Sequence, residues 1–504
     1  MVFPSPACVT CKRRRVKCDT TRPSCGQCHK ASRHCTWESN TETGLPFRSE
    51  NAFAQGKPRR PWKRPANESR RDITAAATPS TLIARTLTIP VETHAFNYFV
   101  QSFTVWPNEM PDIGQDYLTY ALAHYDRARP DSSLHLAVSA FSLASFGRAR
   151  RVSRALEAAH GFYARSITTT QKELSELADE NLDHLVVATL LMSQYENTMY
   201  GAERESNQDI ASATPDEVGS RFWKKICHYE GTMGLLRMRQ QRGLQNLPLY
   251  RAVRRPVLRA CILRGKVVPD WLQDGSQYGE EGPALDLDLL MIRVAALRCA
   301  SLKIFRDENP DPLSPCKEVE YATMEAQNLE TALTLWPHDL PEEWKFSAIS
   351  TESSMPSKTN FADTNYVHSY TTHGHAAVWI RYLAVCLIVS SIHMRLLSIS
   401  SHSKPQRPAF TTQLEACQER IDLLAAHMCR SVPFFFSSRN ATDPKDEIML
   451  KFATLLTWPL TVAISIEAIP LAQKQWLQRR LKSVAVVLAD GVIQSAAEKD
   501  AFKF

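Results

Sequence analysis

Six cysteines near the start of the chain have the side-chain type and the spacing of a metal-binding site. They are Cys8, Cys11, Cys18, Cys25, Cys28 and Cys35. The gaps between them are two, six, six, two and six residues, so the motif C-x2-C-x6-C occurs twice. Thiolates in a tetrahedral set favour zinc. Six thiolates can give two zinc ions four ligands each if two sulfurs are shared. The doubled spacing therefore predicts a binuclear zinc cluster, with one bridging cysteine from each half.

Basic residues fill the first six-residue gap, which contains Lys12, Arg13, Arg14, Arg15 and Lys17. We expect a short helix between Cys11 and Cys18, held at both ends by metal, from which these cations project together. Arginine and lysine can pair with guanine O6 and N7 in the major groove of DNA, and they neutralise phosphates. The equivalent gap of the second half is less basic. Its cations, Lys30 and Arg33, are predicted to contact the DNA backbone.

Two other uses of the six cysteines remain open. One is a disulfide framework, which requires an oxidising compartment, although the opening residues MVFPSPACVT lack the apolar stretch of a signal peptide. The other is a zinc site that serves protein contacts and never touches DNA. The remaining seven cysteines have no paired spacing and are predicted to be buried apolar residues.

The charge of the chain is concentrated at its start. Residues 1–71 carry a net charge of +11 with the thiols counted as neutral, and the whole 504-residue chain carries +7, which leaves −4 for residues 72–504. A basic segment followed by a mildly acidic body is typical of a protein that binds nucleic acid at one end.

The cysteine motif, together with Lys12–Lys17, the dipeptide Cys18-Asp19, Pro23 and Trp37, closely resembles the fungal zinc binuclear-cluster (six-cysteine) transcription factors. The resemblance implies that Cys8 and Cys25 bridge the two metals. It implies that Cys11 and Cys18 complete one zinc site, and that Cys28 and Cys35 complete the other. It also implies that Arg14 and Arg15 make the main base contacts and that the target is a CGG-type triplet.

The elements that carry this motif are predicted from composition. Residues 1–38 are expected to form a small zinc-stapled domain with two short helices. Residues 39–90 are rich in Ser, Thr, Pro, Asn and charge, and they predict a basic, disordered linker. Within it, Lys57–Pro65 is interpreted as a nuclear-import signal, a phosphate-contacting arm or a solvated charge run. Residues 36–90 show no heptad pattern of a coiled coil, so a homodimer would form through the large domain.

Residues 91–504 show helical periodicity and almost no strand-like alternation, which predicts a large all-α domain. Helices are expected near residues 96–103, 134–144, 155–177, 183–199, 218–240, 250–264, 284–306, 317–335, 374–398, 411–430, 446–467 and 472–497. A polar break is expected at 201–216, and a long surface loop within 337–373. The longest apolar run, Tyr382 to Ile392, spans about eleven residues, fewer than the roughly twenty needed to cross a bilayer, and predicts a buried helix.

Several segments of this second part also resemble the fungal-specific transcription factor regulatory domain, though more weakly. They include Leu190–Glu196, Trp223 through Gly231, Arg255 to Trp271 and Trp458-Pro459-Leu460. The resemblance implies a helical regulatory body and identifies neither a ligand nor a partner.

No catalytic motif was found, whether a G-x-S-x-G elbow, a phosphate-binding loop, a G-x-G-x-x-G turn or an H-E-x-x-H helix. Isolated histidines are interpreted as structural, because catalysis requires several converging groups; they are His124, His135, His160, His184 and His228. The tryptophans Trp223, Trp271, Trp458 and Trp476 are predicted to fill the core. The cluster Phe434-Phe435-Phe436 is interpreted as core, with a coactivator or ligand surface as the alternative.

Taken together, the sequence predicts a nuclear transcription factor of RNA polymerase II genes that uses zinc to read DNA, with coregulators as further partners, and that is not an enzyme. Two alternatives stay open at this point. One is a zinc-stapled scaffold that binds protein without reading bases, and the other is a DNA-tethered enzyme with an unrecognised helical catalytic domain.

Overall fold

The structure, a computed structural model, describes residues 7–37, 89–104, 117–206, 215–244, 247–306, 315–350, 366–403, 408–436 and 448–498. The predicted linker lies almost entirely outside the described residues. The basic segment Lys57–Pro65 also lies outside them, as do nearly all of residues 36–90, which lack a heptad pattern. The chain divides into two compact units, Met1–Leu82 and Ile83–Phe504. Each unit is described separately below.

The first unit contains two short helices, α1 (Val9–Arg14) and α2 (Gly26–Lys30). Around them lie the six cysteines, four of which have no exposed surface: Cys8, Cys11, Cys25 and Cys28. With the half-buried Trp37, they make up the core of this unit. A segment this short cannot bury enough apolar surface to fold by the hydrophobic effect alone, so it depends on metal.

The second unit is built from helices, as predicted. In chain order they are α3 (Val91–Phe99, followed by a π turn at Val100–Thr104), α4 (Tyr117–Tyr125), α5 (Ser133–Arg150), α6 (Ser153–Ser175), α7 (Leu182–Ser206), α8 (Pro215–Gln241), α9 (Leu247–Arg264), α10 (Asp270–Gln273), α11 (Pro283–Arg306), α12 (Pro315–Leu335), α13 (His373–Ser403), α14 (Pro408–Ser431), α15 (Leu450–Ser465), α16 (Leu471–Leu488) and α17 (Gly491–Glu498). Short 3₁₀ turns connect some of them, at Asp179–Asn181, Gly275–Tyr278, Trp336–Asp339, Glu342–Trp344 and Val432–Phe435.

Helices α5 and α6 show how small residues set the packing in this unit. The Ser132 side chain caps α5 by accepting the His135 N–H at 3.3 Å. The helix ends at Arg151, whose φ of 54° lies in the left-handed region. A Cβ on Gly147 would lie 2.7 Å from Leu156 Cδ2, so glycine is required where the two helices approach each other closely.

Helix α13 lies at the centre of the body. Its residues 376–389 are almost all buried, and they pack in one continuous core with α12, α14 and α15. Within the part of the chain that the structure describes, α13 is the helix long and apolar enough to cross a membrane by length and composition, and 67% of its apolar window is buried inside the protein. This burial agrees with the buried helix predicted from residues 382–392.

The structure differs from the sequence-based prediction at several helix ends. Helix α7 extends to Ser206 and α8 begins at Pro215, so the predicted polar break is narrower than 201–216. The helix predicted over 472–497 is interrupted by Ala489, which has a φ of 55°. Helix α4 was not predicted, although its buried residues Tyr117, Tyr120 and Ala121 have the i, i+3, i+4 spacing of a helix; it is only nine residues long.

The predicted surface loop within 337–373 contains regular structure. Strands β1 (Ser347–Ser350) and β2 (Tyr366–Ser369) pair antiparallel, with Ser347 opposite Ser369 and Ser350 opposite Tyr366. Both strands are four residues long, and β1 is mostly exposed, so their alternation is too short to detect in the sequence. The residues between them lie outside the described part of the chain.

Candidate metal centre and nucleic-acid interface

The two halves of the cysteine motif fold in the same way. Cys8 and Cys25 each precede a helix with an extended backbone, at ψ of 152° and 148°. The Cys8 sulfur accepts the Cys11 N–H at 3.3 Å, and the Cys25 sulfur accepts the Cys28 N–H at 3.4 Å. Each of these sulfurs therefore caps its own helix, in the place where Ser or Asp usually accepts this hydrogen bond.

The third cysteine of each half folds back onto the first. The Cys18 sulfur accepts the Cys8 N–H at 3.5 Å, and the Cys35 sulfur accepts the Cys25 N–H at 3.3 Å. The two halves of the motif, seventeen residues apart in the sequence, therefore form the same backbone-to-sulfur hydrogen bonds. Such outer contacts orient metal ligands before the metal arrives.

The six sulfurs form two overlapping groups of four. One group is Cys8, Cys11, Cys18 and Cys25, the other is Cys8, Cys25, Cys28 and Cys35, and within each the sulfurs lie within 4.8 Å of one another. The two groups share Cys8 and Cys25, whose sulfurs are 3.7 Å apart. This arrangement gives each of two metal ions four sulfur neighbours.

The distances between sulfurs fit zinc. A Zn–S bond of about 2.3 Å gives a tetrahedron whose edge is about 3.8 Å. Within one group the Cys11 sulfur lies 3.5 Å from that of Cys25, and within the other the Cys8 sulfur lies 3.7 Å from that of Cys28. The donor set is all sulfur, which zinc accepts and which magnesium and calcium do not.

The shared pair of sulfurs also has a distinct electrostatic environment. Burial raises the pKa of the Cys8 thiol, but hydrogen bonds from the Cys11 N–H and from neighbouring thiols outweigh it and lower the pKa below its ordinary value. The pKa of Cys25 is lowered in the same way, chiefly by the Cys28 N–H. By contrast, burial and the neighbouring thiols raise the pKa of Cys28 to about 12. A lowered pKa favours the thiolate that zinc requires.

Asp19 fastens the loop between the two halves. Its carboxylate oxygens accept the Gly26 N–H at 2.9 and 3.2 Å, and one of them also accepts the Thr21 N–H at 3.4 Å. Gly26 is the first residue of α2, and a Cβ there would lie 2.5 Å from the carboxylate. Asp19 therefore sets the position of α2; the sequence marked Asp19 only as part of the Cys18-Asp19 match and predicted no role for it.

Three further contacts connect the residues after the last cysteine to the rest of the unit. The Trp37 indole Nε1 donates to the Pro23 carbonyl at 2.9 Å, and the Arg22 guanidinium lies 4.9 Å from the centre of the Trp37 ring. The Val9 N–H donates to the Thr36 carbonyl at 2.8 Å, which ties α1 to the residues after the last cysteine. The segment after the last cysteine thus holds the loop and the first helix together.

All seven predicted DNA-contacting residues have exposed side chains: Lys12, Arg13, Arg14, Arg15, Lys17, Lys30 and Arg33. Their distribution over helix and loop differs from the prediction. Helix α1 begins at Val9 and ends at Arg14, so it starts before Cys11 and stops short of Cys18. Arg15 has a φ of 55° and caps the helix by donating its N–H to the Lys12 carbonyl at 3.3 Å. Lys17 lies beyond the helix.

The two halves have the same backbone conformation but carry different charges. Positions seventeen residues apart are equivalent, so Arg14 corresponds to Ala31, and Arg15 corresponds to Ser32, which also has a positive φ of 48°. The same scaffold therefore presents arginines on one half and small uncharged residues on the other. This asymmetry distinguishes the first half as the charged surface of the unit.

The histidines of the body make ordinary structural contacts. The Tyr195 hydroxyl lies 2.9 Å from His160 Nδ1, and His228 Nε2 lies 3.0 Å from a Glu196 carboxylate oxygen. His135 lies 3.2 Å from the Tyr125 hydroxyl. His124 stacks on a tyrosine ring at 4.2 Å and lies 6.3 Å from the ring of His184. These contacts agree with the structural role that the sequence predicted.

The remaining predicted core residues mostly lie in the core. Trp458 and Trp476 are buried, Trp271 packs against the core, and Phe435 and Phe436 are buried, with Phe434 packed beside them. Of the seven scattered cysteines, Cys261, Cys386 and Cys417 are buried, and Cys299 and Cys429 are half-buried. The side chains of Trp223, Cys227 and Cys316 are outside the described part of the structure.

Comparisons with known proteins bear on the cysteine segment. The family model of the fungal Zn(2)-Cys(6) binuclear cluster domain matches residues 6–43. Residues 6–43 therefore carry a fungal binuclear zinc cluster. The cofactor of this segment is a pair of zinc ions, in agreement with the sulfur geometry.

Two curated proteins are similar to this chain over 30 and 40 residues. "Transcription factor lfc1" of Flammulina velutipes is 47% identical over 30 residues, which are 6% of this chain and 11% of that protein. "Transcription factor FUP7" of Fusarium proliferatum (strain ET1) is 42% identical over 40 residues, which are 8% of this chain and 16% of that protein. No solved structure matches the chain. These similarities cover a small part of each relative and leave the body without a counterpart.

Proposed function

We propose that this protein is a sequence-specific DNA-binding transcription factor that acts on RNA polymerase II genes in the nucleus. The observation that carries the proposal is the asymmetric cluster, in which one half of a doubled zinc-binding scaffold presents exposed arginines and lysines. The printed names of the two relatives, both transcription factors, support it. The body of the chain supplies regulation and contacts with coregulators.

In this proposal Cys8 and Cys25 bridge the two zinc ions, because both groups of four sulfurs include them. Cys11 and Cys18 complete one tetrahedron, and Cys28 and Cys35 complete the other. Six thiolates and two zinc ions leave a charge of −2, which the surrounding cations offset. When bound, zinc supplies the rigidity that the short segment lacks.

The DNA contacts are divided between base reading and backbone binding. Arg14 and Arg15, at the end of α1, pair with guanines of a CGG-type triplet in the major groove, with Lys17 beside them. Lys12, Arg13, Lys30 and Arg33 neutralise phosphates. Because the equivalents of Arg14 and Arg15 in the second half are Ala31 and Ser32, that half has no matching base-reading pair.

The proposed domain order is a cluster domain at residues 1–38, a basic linker at 39–90 and a fungal transcription factor regulatory domain at 91–504. The linker carries Lys57–Pro65, which would serve nuclear import or phosphate contact. A homodimer, if formed, uses the helical body. Small-angle scattering of the full chain, with and without a two-triplet duplex, measures this stoichiometry.

Selection from randomised duplexes with the full-length chain tests the proposal directly. With zinc, the selected sequences should share a CGG-type triplet, and the same selection with a chelator should yield none. Selection of unrelated sequences with zinc would contradict base reading. Identical enrichment with and without chelator would contradict the metal-dependent scaffold.

A pair of variants separates base reading from phosphate contact. Arg15→Ala should weaken binding to CGG-containing duplexes by about 1–3 kcal/mol and leave non-specific binding nearly unchanged. Lys30→Ala should weaken binding to all duplexes alike and reduce the salt dependence by about one charge. Gel-shift titrations at several salt concentrations measure both effects. An equal loss on every duplex with Arg15→Ala would contradict its base-reading role.

A further inference from the structure

Arginines line a pocket in the helical body. Arg251, Arg255 and Arg259 follow one another at intervals of four residues along one face of α9, and Arg381 of α13 completes the cationic side. The centres of water-sized molecules can occupy about 50 Å³ of this pocket, which lies in a wider concavity of about 540 Å³ that includes open solvent. Helix α15 also lines the pocket. Four guanidinium groups around one opening predict a preference for anions.

The charges buried beside this pocket do not balance. Arg254, Arg255 and Arg381 have side chains that are 1%, 12% and 6% exposed, and they face the carboxylates of Glu280 and Asp288, which are 2% and 0% exposed. In this buried group three cations thus meet two anions. A buried charge is costly unless it is paired. The cluster therefore has an excess of positive charge on its pocket side.

Arg254 and Arg255 use their hydrogen-bonding groups within the protein. Arg254 donates to the Leu272 and Gln273 carbonyls, each at 2.8 Å, and to Asp288 at 3.1 Å. Arg255 Nε donates to Asp288 at 2.9 Å. Arg254 also pairs with Glu280 Oε2, so Arg254 and Arg255 use one oxygen of each carboxylate, and the other oxygen of Asp288, Oδ1, faces Arg381.

Arg381 is the arginine whose groups are left unsatisfied. Its Nη1 lies 3.5 Å from Asp288 Oδ1, a loose ion pair, while its Nε and Nη2 are buried with no hydrogen-bond partner among the described residues. Burial, together with nearby Arg255 and Arg259, outweighs the opposite effect of Asp288 and Glu280 and lowers the pKa of Arg381 to about 10. The group is still charged at neutral pH. Two buried, unpaired N–H groups on a cation are rare unless a ligand or an ion satisfies them.

The rest of the pocket lining is apolar. It consists of Ala252 and Pro256 of α9, Ala377 of α13, and Leu455, Trp458 and Pro459 of α15. The Trp458 indole Nε1 is also buried without a partner in the described part of the protein. A site with one cationic side, one apolar side and unsatisfied donors on both is typical of a ligand pocket.

We propose that this pocket binds a small organic anion, with a carboxylate or phosphate head held by Arg381 and Arg259 and a short apolar body packed against Trp458 and Leu455. The anion supplies the negative charge that the buried cluster lacks. The inference does not depend on DNA binding, because the pocket lies wholly within the second unit.

Phenylacetate, inorganic phosphate and neutral phenylacetamide are suitable probes for the full-length, zinc-loaded protein. Calorimetric titration at constant ionic strength should show saturable binding of phenylacetate, and the amide, which has the same shape without the charge, should bind at least tenfold more weakly. The thermal unfolding temperature should rise with phenylacetate concentration, since a ligand of the folded state stabilises it.

Variants localise the binding. Arg381→Met and Arg259→Gln should each weaken phenylacetate binding at least tenfold; Arg259 is half-buried, so its replacement tests the pocket even if Arg381→Met impairs folding. The matched control is Arg298→Met, because Arg298 is 5% exposed and lies outside the pocket lining. Absence of saturable binding of both phenylacetate and phosphate would overturn the proposal. Equal affinity in the wild type, Arg259→Gln and Arg298→Met would overturn it as well.

Discussion

Arg15 combines an unfavourable backbone conformation with the charge that we propose reads guanine. A non-glycine residue at a φ of 55° costs roughly 1 kcal/mol relative to glycine, which is the usual residue at this helix-ending position. An arginine there serves poorly as a helix cap and well as an exposed donor. Ser32, just after the second helix, has a similar φ of 48°, so the charge of the Arg15 side chain, and not its backbone, distinguishes this position.

Arg15→Gly should therefore separate folding from recognition. We expect the variant to hold zinc as tightly as the wild type or slightly more tightly, because glycine relieves the backbone strain. We expect its affinity for CGG-containing duplexes to fall by about 1–3 kcal/mol. Competition with a zinc chelator and gel-shift titration measure the two quantities. Loss of zinc affinity together with unchanged DNA affinity would contradict this assignment.

Asp19 is a second single residue with a testable role, and it acts on the backbone that holds the metal ligands. Asp19→Ala removes the acceptor of the Gly26 and Thr21 N–H groups, and we expect zinc affinity to fall about tenfold or more because outer contacts orient the ligands. Ser24→Ala, at an exposed position of the same loop, is the matched control and should leave zinc affinity unchanged. Chelator competition followed by absorbance provides the comparison, and equal affinities for both variants would refute the role of Asp19.

Most helices with clear hydrophobic periodicity or regular cysteine spacing were predicted from the sequence. The doubled cysteine motif indicated two short helices, and α1 and α2 are present. Their exact placement could not be predicted, because a cysteine sulfur acts as the helix cap and moves α1 forward to Val9. In the body, long amphipathic or apolar segments such as α11 and α12 were predicted within two residues of their ends. Strand β1 and the break at Ala489 carry no sequence signal and were missed.

The buried pair of Glu330 on α12 and His393 on α13 makes the unfolding free energy of the helical body depend on pH. Burial lowers the pKa of His393, but the Cys417 thiol and the Glu330 carboxylate, 3.0 Å away, outweigh it and raise the pKa to about 9. The folded pKa exceeds the ordinary value of about 6.5. The stabilisation is therefore fully present below about pH 6.5 and is lost as the pH rises through about 9.

Denaturant unfolding between pH 6.5 and 9 should show this loss, which is at most about 3 kcal/mol for a shift of this size. His393→Gln should unfold more easily at pH 6.5, and its unfolding free energy should vary less with pH. The control is His368→Gln, because burial lowers the pKa of His368 to about 3 and keeps it neutral throughout this range. A pH slope of the same size in His393→Gln and wild type would show that another group is responsible.

At the scale of the whole molecule, the sequence separated a basic metal-binding start from a helical body, because both composition and charge change along the chain. It could not place side chains from distant segments together. Arg255, Asp288 and Arg381 come from three helices and meet in one buried cluster, and neither spacing nor periodicity relates positions so far apart. The cysteine segment was more predictable, since all of its interacting residues lie within about thirty positions.

The central claim is that two zinc ions, held by six sulfurs, give the short basic segment a fixed shape that reads DNA. Zinc content and DNA affinity measured on the same preparation of the full chain test it most directly. We predict two zinc ions per chain, and we predict that stepwise removal by a chelator abolishes binding to a CGG-containing duplex in parallel with zinc loss. A preparation that binds the duplex specifically while containing no zinc would contradict the account.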